Sequence, residues 1–93
     1  MKTFQPFKTM HNSFGLRQQL YRFANGYGAS VIDCPEAYGS KPKPFELCVI
    51  VFGTDGDYKT AFNTPVADEV IGFLDEHDVQ VNLALIAALP KKG

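Results

Sequence analysis

The sequence predicts an α+β domain: a four-stranded antiparallel sheet, built as a meander of two hairpins, followed by two C-terminal helices packed on one of its faces. Three observations lead to this expectation. Asn25-Gly26 separates two runs rich in strand-favouring residues, Leu16 to Ala24 and Tyr27 to Cys34, and Asn-Gly meets the positive-φ demand of a two-residue hairpin turn at little steric cost. Phe45 to Phe52 alternates Phe45, Leu47, Val49 and Val51 with Glu46, Cys48, Ile50 and Phe52, so nearly every position on both faces is apolar. Beyond it, Thr64-Pro65 and Asp75 each stand where a helix can begin.

Taken in order, residues 1–16 carry Phe4, Phe7, Met10 and Phe14 but are interrupted by Pro6 and Gly15. They are expected to form an arm that pins aromatic side chains onto the body. The first strand places Tyr21 and Phe23 on one face and Leu20 and Arg22 on the other. In its partner, Tyr27, Ala29 and Val31 alternate with Gly28, Ser30 and Ile32, and Gly28 leaves room for a ring to approach the backbone. Pro35 to Pro44 has the composition of a stiff connector.

Gly53 to Asp57 is turn-rich, and Tyr58 to Asn63 is expected to return as the fourth strand. A threonine oxygen can accept an orphan amide hydrogen and proline suits the first helical position, so Thr64-Pro65 predicts a short helix with Val66, Val70, Phe73 and Leu74 inward. Asp75 is expected to cap a second helix from Glu76 to about Leu89. Its inward face would carry Val79, Leu83 and Ile86, broadened by Val81, Leu85 and Leu89. Residues 17–90 then make one domain and 91–93 a tail. Cys48, Ile50 and Phe52 make the sheet's second face too apolar to be left bare, so the arm or a second copy in a homodimer is expected to cover it.

Ninety-three residues, 45% apolar and 20% charged, suit a single globular core. A net charge of −1 gives no bulk electrostatic drive toward nucleic acid or anionic lipid. Two cysteines, Cys34 and Cys48, are too few for a disulfide scaffold and, in apolar strand-like surroundings, are expected to be buried free thiols, with a disulfide or reactive pair as the alternative. The chain begins without the apolar core of a signal peptide, and no run approaches the roughly 18 apolar residues of a membrane span. Cytoplasmic residence, with no membrane partner, is the expectation.

Charge is unevenly placed. Between Lys59 and Lys91 there is no lysine or arginine, whereas Asp68, Glu69, Asp75, Glu76 and Asp78 are acidic. These five residues form a candidate protein-binding face, set against their ordinary role of complementing helix N-termini. Asp75-Glu76-His77-Asp78 brings an imidazole among carboxylates, but neighbouring helical residues diverge and His11 offers no second ligand at a matching spacing, so no metal site or cofactor is expected. No serine lies in a nucleophile-elbow context and neither cysteine has an adjacent histidine, so an enzyme is not expected. A second candidate surface joins Tyr21, Arg22, Tyr27, Lys41, Lys43, Tyr58 and Lys59, whose rings and cations suit single-stranded nucleic acid or a nucleotide.

One ordered set of motifs remains: Asn25-Gly26-Tyr27-Gly28-Ala29-Ser30-Val31, Tyr38-Gly39, Glu46-Leu47, Asn63-Thr64-Pro65-Val66 and Asp68-Glu69-Val70-Ile71-Gly72. Together they resemble a group of short proteins of tailed phages and prophages to which no activity is assigned. The likeness spans residues 22 to 74 and leaves the arm and Lys41-Pro42-Lys43-Pro44 unmatched. It implies a context, the host cytoplasm, and transfers no functional residue. The resulting expectation is a non-enzymatic protein that docks on a host or viral protein, with inhibition of host defence as one outcome. Nucleic-acid binding and a structural dimeric subunit are the alternatives.

Overall fold

The computed structural model describes residues 3–33, 45–61 and 70–91. Within them the chain forms β1 (Lys8–His11), β2 (Arg17–Arg22), β3 (Tyr27–Asp33), β4 (Phe45–Phe52), β5 (Tyr58–Thr60), β6 (Ile71–Leu74) and α1 (Glu76–Ala87). The sheet runs β1-β2-β3-β4-β5 with every pairing antiparallel, and β6 pairs β4 as well. The α+β class is as expected, but the sheet has six strands and the described residues contain a single helix.

The additional strand at the N-terminal end is β1, which lies within the expected arm. It pairs with β2 because Asn12 to Leu16 closes a hairpin of its own. This loop shares its construction with two others. In each, the residue before a three-residue loop donates to the carbonyl of the residue after it: Asn12 to Leu16, Phe23 to Tyr27 and Gly53 to Asp57, at 2.8–2.9 Å. In each, the last loop residue is a glycine with positive φ, namely Gly15, Gly26 and Gly56. The Asn25-Gly26 hairpin is therefore a three-residue loop, not the expected two-residue turn. Only Gly26 adopts positive φ, as in a type I turn closed by a glycine bulge.

The expected helix from Thr64 is overturned where it can be followed, since its start lies outside the described residues. Ile71–Leu74 is the strand β6, pairing Phe45 with Leu74 and Leu47 with Ile71. Two residues of β4 are spanned by three steps of β6, so β6 carries a bulge, and Phe73 within it has φ 58° with 62% of its surface exposed. Phe73 and Val70 consequently do not face inward, whereas Leu74 does. The physical reason is competition. β5 pairs only with Ile50–Phe52, leaving the Phe45–Leu47 end of the same β4 edge open to another strand. Gly72 would also weaken a helix interior by about 1 kcal/mol.

The helix α1 matches its expected span closely. Asp75 caps it, and Val79, Leu83 and Ile86 are buried against the sheet. They pack on a core of Tyr21, Ala29, Val31, Leu47, Val49 and Leu74. Val81 and Leu85 do not join them: 46% and 52% exposed, they point outward. The opposite sheet face carries a smaller core of Leu20, Ile50 and Phe52, against which Met10 packs. The N-terminal segment divides between the two faces. Phe4 meets Phe23 edge-on at 5.4 Å on the helix side, and Phe7 meets Phe52 at 5.9 Å on the other. Of the two coverings weighed for the second face, the arm supplies Phe7 and Met10.

Asn25 ties the first half of the chain to the last. Its Oδ1 accepts from the Tyr27 amide at 3.0 Å, stabilising the loop. Its Nδ2 donates to the carbonyls of Ile86 at 2.9 Å, Ala87 at 3.3 Å and Leu89 at 3.0 Å, around the end of α1, where backbone acceptors run short of intrahelical donors. Asn25→Asp keeps the shape, removes all three donations and sets a negative charge against the negative end of the helix dipole. A loss of about 2 kcal/mol is expected by urea unfolding, larger than that of Asn25→Ala.

Candidate functional site

The acidic set is dispersed by its structural duties. Asp68 and Glu69 lie outside the described residues. Asp75 Oδ1 accepts from the Asp78 amide at 2.8 Å, and Asp78 Oδ2 accepts from the Asp75 amide at 3.1 Å, a reciprocal capping box. Both carboxylates thus serve the start of α1, and Glu76, exposed, is the carboxylate of this turn that the box does not use. Asp75→Ala is expected to lower stability by about 1 kcal/mol in a thermal melt.

The aromatic and cationic set is divided between the two sheet faces. Tyr21 and Tyr27 pack on the helix side, and Lys59, opposite Val51, shares that side in register. Arg22 and Tyr58 lie on the other face, where the Arg22 guanidinium sits 4.6 Å above the Phe52 ring and Tyr58 lies 5.7 Å from it. Lys41 and Lys43 lie outside the described residues. The structure therefore assembles Arg22, Phe52, Tyr58 and Phe7 into one cluster and leaves Tyr21, Tyr27 and Lys59 apart from it.

Cys48 is a free thiol, half-buried rather than buried, with Sγ donating to the Val49 carbonyl at 3.5 Å, and Cys34 lies outside the described residues. Burial, with the nearby Glu46 charge, pushes its pKa up, so it remains a protonated thiol and a poor nucleophile. No group of three or more metal-ligating side chains occurs among the described residues. No helix among them is long and apolar enough to cross a membrane.

Two further features lie outside the sites that the sequence predicts. The first is the outward stripe of α1. With Val79, Leu83 and Ile86 inward, a 100° step per residue directs Val81, Ala84, Leu85 and Ala88 away from the sheet. All four are exposed. From Val79 to Pro90 the sequence contains no charged residue, so this stripe has no polar replacement for water. A surface helix ordinarily reserves that side for charged side chains. Val81 and Leu85 therefore form the outer side of α1 and do not broaden its inner face as the periodicity predicts.

The second is a cleft of about 500 Å³ at the N-terminal end of α1. One wall is the helix-facing row of β2, Arg17, Gln19 and Tyr21, and the other is the helix's first turns, Glu76, His77 and Gln80. The segment Thr3–Pro6 closes one side, held by a two-point bond in which Phe4 N donates to Gln80 Oε1 at 2.9 Å and Gln80 Nε2 donates to the Phe4 carbonyl at 3.3 Å. Val31, Phe45 and Val79 give the cleft an apolar lining. Arg17 reaches Asp33 at only 3.7 Å in a half-exposed pair, an attachment of small energy. Burial raises the Tyr21 pKa, while Arg17 opposes that rise, so its phenol is a neutral donor.

The chain matches no protein-family model, no curated protein and no solved structure.

Proposed function

We propose that this chain is a non-enzymatic docking protein whose contact surface is the outward stripe of α1. The observation that carries the reading is the exposure of Val81 and Leu85 on a helix that has no charged residue from Val79 to Pro90. Such a side is stable in water only at a cost that a partner's apolar groove removes, at about 25 cal/mol per Å² of apolar surface covered. The partner is thus a protein with an apolar groove.

The resemblance of residues 22 to 74 to short phage and prophage proteins supports a host or viral protein as that partner, encountered in the host cytoplasm. Small proteins of this kind act by occupying a surface, and inhibition of host defence is one result of doing so.

A photo-reactive phenylalanine analogue placed at position 85 tests the reading. Illuminated in a bacterial lysate, it is expected to cross-link one protein in high yield, whereas the same group at Gln18, on the opposite sheet face, is not. Equal yields at both positions would contradict the assignment, and a cross-linked second copy of this chain would replace host docking by self-association.

A further inference from the structure

We infer that the cleft between β2 and the first turns of α1 is a binding site for a small monocarboxylate with an apolar body. It is separate from the outward stripe of α1, and either assignment stands without the other. The cleft has the dimensions of a small-molecule site, about 500 Å³ within the usual range of roughly 300–1,000 Å³. Its chemistry is graded: Val31, Phe45, Val79 and Phe4 offer apolar contact, and Arg17, Gln19 and Tyr21 stand in one row along β2.

Tyr21 points to a ligand rather than to a solvated gap. It is 4% exposed, and none of the hydrogen bonds among the described residues reaches its hydroxyl. No fully buried side-chain oxygen among them lacks a partner, so the accessible remnant of Tyr21 includes that hydroxyl, and the cavity it meets is this cleft. A phenol that opens into a cleft without a protein acceptor, in the same strand row as a guanidinium, suits an oxyanion. Arg17 can turn to it because its bond to Asp33 is long and partly exposed.

Charge on the other wall sets the class of anion. Glu76 lines the cleft and Asp33 stands beside Arg17, so a dianion meets repulsion that a single negative charge largely escapes. A carboxylate satisfies Arg17 and Tyr21 with one charge. Its apolar remainder lies against Val31, Phe45 and Val79.

The test is a titration of the full chain followed by two-dimensional NMR, reading the Arg17 Nε–H and the Gln19 and Gln80 side-chain amides. The probes are benzoate, its neutral isostere benzamide, and the dianion phenyl phosphate. Benzoate is expected to shift these signals saturably and to bind more tightly than either of the others. Tyr21→Phe retains the buried ring and removes only the hydroxyl, and Arg17→Gln removes the cation. Each is expected to weaken benzoate about tenfold, with the backbone spectrum otherwise retained. Absence of saturation, equal binding of benzamide, or benzoate binding unchanged in both variants overturns the site, and tighter binding of phenyl phosphate overturns its assignment to monocarboxylates.

Discussion

Gly28→Ala is expected to be the most damaging single-methyl change in the described chain, with a loss of about 3 kcal/mol. A Cβ built on Gly28 overlaps the Tyr21 carbonyl oxygen and stands 2.7 Å from Phe52 Cε2. Neither neighbour can yield cheaply. The Tyr21 carbonyl belongs to the backbone of β2, which is fixed by its register with β3. The Phe52 ring is held between Phe7, Tyr58 and the Arg22 guanidinium. For a domain of this size the melting temperature should fall by about 15 °C. Gly53→Ala is the control. Its new methyl meets chiefly the Asp55 carboxylate, 2.9 Å away on an exposed side chain that can turn aside at the loss of one solvent-exposed bond from the Asp57 amide, so its cost should stay within about 1 kcal/mol. Equal losses in calorimetry would remove the packing explanation.

Val81→Glu with Leu85→Glu is expected to have the largest effect on partner binding while leaving the fold intact. Both side chains are about half-exposed and neither belongs to the buried cluster under α1. Charges placed there remain in water in the free protein, so the melting temperature should change little. In a complex the same carboxylates would be driven into an apolar groove, where an unpaired charge costs several kcal/mol. The weakening of capture should therefore exceed a hundredfold, about 2.7 kcal/mol or more. Leu83→Glu would also abolish capture, but by unfolding, because Leu83 is fully buried. The contrast between neighbouring leucines separates loss of surface from loss of structure.

Much of the sheet was legible in the sequence because period-two alternation survives any detail of the turns. The face assignments of Tyr21, Ala29, Val31, Leu47 and Val49 follow from it and agree with the buried cluster. Asp75 was legible as a cap because its carboxylate and the amide three residues later are local partners. The turn at Asn25-Gly26 was located but misread in type, since a two-residue and a three-residue loop share the same Gly signal. β1 was hidden because Lys8–His11 is short and mostly exposed, so its pairing with β2 leaves little apolar pattern. β6 was hidden because its strand character depends on the edge of β4, a partner many residues distant that no local propensity encodes.

The candidate surfaces show the same division. Composition exposed the acidic segment, but it could not show that Asp75 and Asp78 spend their carboxylates on each other's amides. Nor could it show that Tyr21 lies under α1 while Arg22, its neighbour in sequence, faces the other way. The outward stripe needed the helix's orientation as well as its sequence. Val81 and Leu85 became a surface only once Val79, Leu83 and Ile86 were seen to occupy the inner side.

The most direct test is native mass spectrometry of the tagged chain recovered gently from a bacterial lysate, with wild type and the Val81→Glu, Leu85→Glu variant in parallel. The account predicts a stoichiometric complex with a heterologous protein for the wild type and a bare folded monomer for the variant. The same complex in both, or a bare chain in both, would contradict α1 as the docking surface.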